Sequence, residues 1–219
     1  PDVYRRLDEF LKDFPKALKE FENMVMRNRI FMDRTINTGP ISGERALEYG
    51  FTGPNLRAAG VDYDVRVMTP YSSYEDFDFI IPIGTQGDTY DRFCVREEEM
   101  WQSLSIIRQA LDKMPKTNEF FADVPEFYLP PKDAVYNTME GLIWHFKIVM
   151  GEVNVPKGQV YHCVEGGNGE LGFYLVSDGG RQPFRLHFRR PCFIYYQAYP
   201  EMIKGALLSD AIITMSSMN

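Results

Sequence analysis

The chain has 219 residues, 44% of them hydrophobic and 14% aromatic, and its formal net charge is -7. This length and apolar content suffice for a hydrophobic core and exclude an intrinsically disordered chain. The 24 basic residues are outnumbered by 31 acidic ones and form no basic segment, so nucleic acid is excluded as a partner. No run approaches the roughly 18 apolar residues that a membrane-spanning helix needs.

Helical periodicity dominates the first 150 residues. Apolar residues at three- and four-residue steps predict a helix over about 2–29, either kinked or divided at Pro15. Ser42 is predicted to cap a short helix over 43–49, which Gly50 ends.

A loop-rich segment follows this short helix. Residues 52–55, Thr-Gly-Pro-Asn, predict a turn, and the aromatic-rich remainder to residue 79 predicts a long ordered loop. Loops of this length are uncommon in compact domains unless they are functional or covered by a partner.

Two longer helices are predicted next, over 89–114 and 132–150. Pro115 stops the first, and Asp133 lies in the first turn of the second, where a negative charge suits the helix dipole. After Pro156 the period becomes alternating, which predicts a meander of three strands.

The predicted fold class is α+β and mainly helical. The helical region covers about 1–150, a small antiparallel three-stranded sheet covers about 159–190, and a final helix covers about 200–216.

The segment GTQGDTYD, residues 84–91, raises the question of phosphate or metal binding. A phosphate loop needs a lysine at the helix start, and this segment has none. A hard cation could use the carboxylates of Asp88, Asp91 and residues 97–99, but their spacing fits no calcium-loop pattern.

The interpretation that we favour for this segment is structural. We expect Asp88 and Asp91 to cap the following helix, and Arg92 and Arg96 to pair with carboxylates on the next turn. Glu97 lies beside the apolar stripe, and is either a buried partner of an arginine or a residue at the stripe's edge.

The cysteines and histidines predict no metal centre and no local catalytic pair. The cysteines are odd in number and form no CxxC pair, which is typical of reduced thiols in a cytoplasmic setting. No two histidines are spaced i, i+4, the pattern of a metal pair on a helix. These residues are Cys94, Cys163, Cys192, His145, His162 and His187.

Charged residues also cluster around the glycine turns, among them Arg57, Arg66, Glu165, Glu170 and Arg189. They are either solvated loop charges or a buried ion-pair network at an interface, for which the arginine fork is suited. In both cases we expect Arg57 to be structural.

Four motifs, in this order, resemble one protein family: GFTGPNLRAAGVDYDVR, IPIGTQGDTYDRFCVREEEMWQSLSIIRQALDKMP, VEGGNGELGFYLVSDGG and PFRLHFRRPCF. The family is the D subunit of the proton-pumping NADH-quinone oxidoreductase, respiratory complex I, which is distantly similar to the large subunit of nickel–iron hydrogenases. The resemblance implies a hydrogenase-large-subunit-like core. It also implies that residues 1–219 are the C-terminal part of a single larger subunit, since the family's HPSTHG-like segment has no match here.

The resemblance implies a function in electron transfer from NADH through iron–sulfur centres to quinone, coupled to proton translocation. The enzyme is then the whole translocase, and this piece alone is expected to be inactive. No cofactor is expected to bind directly, and quinone is the substrate at the interface with the iron–sulfur B subunit. The implied partners are the B, C and I subunits and the membrane H subunit, at a peripheral position on the cytoplasmic side of the inner (cell) membrane.

Within this function, Asp178 and Gly179 are the predicted quinone-binding residues, because a tight turn between strands can line a cavity. In this family an apolar residue such as valine often stands where Glu97 does, so Glu97 is a departure. Two alternatives stay open: a membrane-bound hydrogenase-type large subunit, and an inert structural piece. The absence of any CxxC argues against thiolate ligation of nickel and iron.

Overall fold

The computed structural model divides the chain into two compact units. The first comprises Pro1–Met114, Cys163–Leu171 and Arg189–Asn219, and the second comprises Pro115–His162 and Gly172–Phe188. The residues that the structure describes are 2–115, 122, 124, 127–151, 155–180 and 182–218.

The first unit begins with helix α1, Asp2–Val25, which runs through Pro15 without division. The helix was predicted to extend to about residue 29, but it ends at Val25. Asn28 then caps a separate helix, α2, Arg29–Thr35, since its side chain accepts hydrogen bonds from two backbone amides of the first turn of α2.

Three short helices follow. The first, α3 over Gly43–Glu48, was predicted, whereas α4 over Gly53–Ala58 and α5 over Val65–Met68 lie in the predicted loop-rich segment. The Ser42 side chain caps α3 as predicted, accepting from the backbone amide of Arg45 at 3.3 Å. The prediction of a turn at 52–55 is wrong, because these residues open α4. Pro54 lies in the first turn of α4, where a helix does not need the missing amide hydrogen.

Helix α6, Thr89–Lys113, is the long central element of this unit and agrees with the predicted bounds. One small core lies between α1 and α6 and contains Leu11, Leu18 and Leu104. The larger core joins α3 and α4 to the C-terminal helices, and it contains Ile41, Ala46, Phe51, Leu56, Tyr195, Ala198, Met202 and Met218.

The second unit contains α7, Lys132–Asn137, and α8, Met139–Val149. The predicted single helix over 132–150 is divided at Thr138, whose backbone is extended. Its hydroxyl accepts from the amide of Gly141 at 3.1 Å, so this threonine caps a new helix instead of continuing the old one.

The antiparallel sheet has the order β1-β2-β3, with β1 over Gly158–Gly166, β2 over Gly169–Ser177 and β3 over Arg185–Arg189. The ends of β1 and β2 that meet at their hairpin turn belong to the first unit. The predicted α+β class, mainly helical with a small three-stranded sheet near the C-terminus, is confirmed.

The C-terminal part of the first unit contains α9, Pro191–Tyr195, α10, Tyr199–Met202, and α11, Leu208–Met218. The prediction of one helix over 200–216 is wrong. Gly205 adopts a left-handed φ of 84° between α10 and α11, a conformation that glycine tolerates and that interrupts a helix.

Candidate functional site

Arg57 on α4 is 1% exposed and contacts carboxylates from three separate parts of the first unit. Its Nη1 lies 3.0 Å from Glu165 Oε1 on β1 and 3.3 Å from Asp64 Oδ2 at the start of α5. Its Nε donates to Glu99 Oε1 on α6 at 2.9 Å, and its Nη1 donates to the carbonyl of Tyr63 at 2.9 Å. We call Arg57, Asp64, Arg66, Glu99 and Glu165 the arginine cluster.

Arg66 is the second cation of the arginine cluster. Its Nη2 lies 2.6 Å from Asp64 Oδ2, so this one carboxylate contacts both arginines. The guanidinium of Arg66 also lies 4.9 Å from the ring centroid of Phe79. Two arginines thus face three acids in a largely buried site, where each charge depends on its partners.

The pKa shifts follow from this burial. Burial acts to raise the pKa of Asp64, but the hydrogen bonds and charge of Arg66 outweigh it and the pKa is lowered. Burial raises the pKa of Glu165, against the opposing charge of Arg57. Glu165 is therefore held less firmly as an anion than Asp64.

A second set of buried contacts fixes the β1–β2 hairpin turn, and we call it the hairpin lock. The hydroxyl of Tyr195 lies 2.6 Å from the carbonyl of Thr52 and 2.8 Å from the carbonyl of Asn168 in the turn. Thr52 Oγ1 accepts from the amide of Glu170 at 3.1 Å. Arg189 Nη1 donates to the carbonyl of Glu170 at 2.8 Å.

The hairpin lock requires glycine at the contact between α4 and the turn. A Cβ on Gly53 would lie 2.3 Å from the Cα of Gly169, and the φ of Gly53 is 63°. A Cβ on Gly169 would lie 2.2 Å from the hydroxyl oxygen of Tyr195. Only residues without a side chain allow this approach.

Tyr63 joins the arginine cluster to the hairpin lock. Its carbonyl accepts from Arg57, and its hydroxyl donates to Glu170 Oε2 at 3.1 Å. Burial, with the nearby Glu170, raises the pKa of Tyr63 to about 12. One continuous polar network therefore connects α4, α5, α6, the hairpin and β3.

The segment before α6 is held by its own aspartates. Asp88 Oδ1 accepts from the amide of Asp91 at 2.8 Å, and its Oδ2 accepts from the amide of Asn37 at 2.7 Å. Asp91 Oδ2 accepts from the amides of Thr85 and Gln86 at 2.7 and 2.6 Å. Asp88 therefore caps α6 as predicted. The prediction that Asp91 also caps this helix is wrong, because its carboxylate accepts from amides of the loop that precedes α6.

Arg92 and Arg96 do not make the ion pairs expected of them. Arg92 is buried and donates to the carbonyls of Gly87 and Gly39 at 2.8 and 2.9 Å, and to Ser217 Oγ at 2.9 Å. Arg96 Nη1 donates to the carbonyl of Ser217 at 2.7 Å. The predicted pairing with carboxylates on the next turn is wrong, because both side chains reach across to α11 instead. Burial lowers the pKa of Arg92 to about 9.

Glu97 is 6% exposed. Its Oε1 accepts from Trp101 Nε1 at 2.7 Å, and the same indole nitrogen donates to Glu22 Oε1 at 2.6 Å. The side chain is buried, but its described contacts are with an indole and a second acid, not with an arginine.

Asp178 and Gly179 belong to the second unit, whereas the arginine cluster and the hairpin lock belong to the first. Asp178 is exposed, and its Oδ1 accepts from the amide of Gly180 at 2.8 Å. The amide of Gly179 donates to Ser177 Oγ at 3.1 Å, and Gly179 has a φ of 89°. The turn is thus well defined, and its role in quinone binding stays a prediction.

The described ranges contain no group of three or more histidine, cysteine, aspartate and glutamate side chains that could hold a metal ion. In the same parts of the chain, no helix combines the length and the apolar character needed to cross a membrane.

Four residues of these networks were not predicted to belong to them, namely Thr52, Asp64, Glu99 and Tyr195. Glu99 carried a usable signal, since it lies at helical spacing from Arg92, Val95 and Arg96 on the buried face of α6. Tyr195 carried none, because its partners are distant in sequence.

The fold and the site define a mainly helical α+β protein with a buried network of arginine, carboxylate and tyrosine side chains. The chain belongs to the family "Respiratory-chain NADH dehydrogenase, 49 Kd subunit", whose model matches residues 1–219. The predicted family is confirmed.

Relatives named as D subunits match nearly the whole chain. The D subunit of the NADH-quinone oxidoreductase of Flavobacterium johnsoniae is 73% identical over 100% of this chain and 53% of its own length. The D 2 subunit of Cytophaga hutchinsonii is 73% identical over 98% of this chain and 55% of its own length. The C/D subunit of Bdellovibrio bacteriovorus is 47% identical over 95% of this chain and 37% of its own length. The chain thus spans about half the length of the first two curated relatives.

Proposed function

We propose that the chain acts as the C-terminal part of the D subunit in an NADH-quinone oxidoreductase. In this function NADH supplies electrons, iron–sulfur centres on other subunits carry them, and quinone accepts them, with proton translocation coupled to the transfer. The observation that carries the proposal is the identity of 73% to a D subunit over every residue of the chain. The hydrogenase-like core and the assignment of 1–219 to one larger subunit are part of the same proposal.

The contribution of the first unit is that of a scaffold. Arg57 and Tyr195 are 1% and 0% exposed, so neither can touch a substrate without local opening. Their contacts instead fix the β1–β2 hairpin to α4 and α6 through groups that are costly to leave unpaired. Such a network holds the surface around the β1–β2 hairpin turn in one geometry.

Asp178 and Gly179 are proposed to form part of the wall of the quinone cavity. Supporting this, the carboxylate of Asp178 is exposed on a turn whose backbone is fixed by Ser177. A positioned carboxylate can accept a hydrogen bond from a hydroxyl of the quinol that forms when the quinone is reduced and protonated. The quinone lies, in this proposal, at the interface with the iron–sulfur B subunit, and the chain itself binds no cofactor directly.

The proposed partners are the B, C and I subunits and the membrane H subunit. The fused name C/D of the Bdellovibrio relative supports the association with the C subunit. The proposed location is peripheral, on the cytoplasmic side of the inner membrane, with membrane contact through the partners.

Copurification tests the proposed assembly. A tagged D subunit that carries this sequence is expressed in place of the resident one, and the proteins retained with it are identified by mass spectrometry. We expect the B, C, I and H subunits among them. Recovery of the tagged chain without any of these partners would overturn the proposal.

Steady-state kinetics on the intact oxidoreductase test the residue assignment. Asp178→Ala is expected to raise the KM for quinone while reduction of a water-soluble artificial acceptor by NADH is unchanged. Asp62→Ala is the matched control, since Asp62 is also an exposed aspartate in a loop. Equal KM values in the two variants would remove Asp178 from the cavity wall.

A further inference from the structure

Glu22 of α1 and Glu97 of α6 share a single hydrogen-bond donor. Trp101 Nε1 lies 2.6 Å from Glu22 Oε1 and 2.7 Å from Glu97 Oε1. One indole hydrogen cannot satisfy two ionised carboxylates, and Glu97 has almost no contact with solvent. Two like charges at this separation favour a state in which one carboxyl keeps its proton and donates to the other.

The surrounding charges decide which acid keeps the proton. Glu22, Glu97 and Trp101 line a cleft of about 640 Å³ with Lys19 and Arg27. The two basic residues favour the ionised form of Glu22, whereas Glu98 is a further acid near Glu97. Among the described residues, Tyr90 and Cys94 of α6 are further titratable groups on this face.

We propose that Glu22 and Glu97 hold one shared proton between α1 and α6, and that release of this proton loosens the contact between the two helices. Burial, with the neighbouring Glu22, raises the pKa of Glu97 to about 7, while the hydrogen bonds from Glu97 and Trp101 lower the pKa of Glu22. When Glu97 ionises, two adjacent carboxylates repel across the helix contact.

The apolar contact between α1 and α6 includes Trp101, whose indole both acids share. Among the described residues, the core between α1 and α6 has three buried leucines, Leu11, Leu18 and Leu104, and the partly buried residues packed against it are Phe14, Met100, Trp101, Ile107 and Leu111. Near the acids, the rings of Phe21 and Phe93 lie 5.8 Å apart. A charge created beside Trp101 therefore acts directly on the packing between α1 and α6.

The fluorescence of Trp101 reports the protonation directly. The chain has two tryptophans, so Trp144→Phe leaves Trp101 as the only one. We expect the emission of this variant to change in one step with a midpoint near pH 7, and the protection of amides in the C-terminal half of α1, measured relative to their intrinsic exchange rates at each pH, to fall above that pH. Glu97→Gln in the same background should abolish the step.

Two further variants keep the test decisive. Glu98→Gln, one residue along α6 and exposed, is the matched control and should keep the step. If Glu97→Gln does not fold, Glu22→Gln tests the same pair, and we expect it to move the midpoint to lower pH, since the repelling charge is gone. The proposal would be overturned if the emission of the Trp144→Phe variant did not change with pH. It would also be overturned if the step in emission remained unchanged in both Glu22→Gln and Glu97→Gln.

Discussion

Arg57 and Glu165 form a buried ion pair, with Nη1 and Oε1 3.0 Å apart, although 108 residues separate them in the sequence. Asp64 and Glu99 contact the same guanidinium. This arginine is the point at which α4, α5, α6 and β1 are connected, so the geometry of the hairpin depends on it.

Replacing Arg57 should therefore be severe. Arg57→Leu removes the cation that Glu165 and Glu99 share, while Asp64 keeps its contact with Arg66, and we expect a loss of about 3–5 kcal/mol in the free energy of unfolding. Urea denaturation of the chain measures it. Glu201→Gln is the control, because the pair of Arg45 and Glu201 is exposed to solvent and should contribute little to stability. Similar losses in both variants would contradict the assigned role of Arg57.

The lowered pKa of Asp64 predicts an acid-sensitive term in stability. As pH falls below about 4, the unfolded chain takes up this proton before the folded chain does, so protonation favours unfolding. Asp64→Asn should then show a flatter loss of stability between about pH 4 and pH 2 than the unchanged chain. Asp62→Asn, an exposed neighbour, should keep the original slope. The account fails here if Asp64→Asn leaves the slope unaltered.

The hydroxyl of Tyr195 is predicted to stabilise the folded chain through the hairpin lock. Tyr195→Phe keeps the packing against Phe51 but removes the hydrogen bonds to the carbonyls of Thr52 and Asn168. We expect a cost of about 1–3 kcal/mol, measured by thermal unfolding. Tyr196→Phe, on the exposed neighbour, should be nearly neutral. A neutral Tyr195→Phe would mean that the hairpin lock holds without this hydroxyl.

Gly169 is predicted to tolerate no side chain. Its φ is 128°, and a Cβ would lie 2.2 Å from the Tyr195 hydroxyl and 2.9 Å from Thr52 Oγ1. Gly169→Ala should destabilise the chain by more than the roughly 1 kcal/mol of an ordinary glycine effect. Gly158→Ala is the matched control, since a Cβ there meets nothing within 4 Å. Equal melting temperatures for the two variants would be inconsistent with the close contact.

Periodicity predicted the elements well where the pattern was long. The bounds of α6 and the three strands follow from apolar spacing and glycine turns, which are local properties. The breaks at Thr138 and Gly205 were missed, because a threonine or a glycine inside an apolar pattern is compatible with a helix until its backbone conformation is known. The arginine cluster could be suspected from its charges, but its pairing joins residues 42 and 108 positions apart, which no local pattern specifies.

The measurement that tests the central claim most directly is complementation of quinone reduction. In membranes of a bacterium whose own D subunit has been deleted, a D subunit that carries these 219 residues in the matching region is expressed, and NADH-dependent quinone reduction is followed. We predict that activity is restored, and that it is lost again when Arg57→Leu is introduced. Correct assembly of the complex with no restored quinone reduction would contradict the assignment of this chain to the working enzyme.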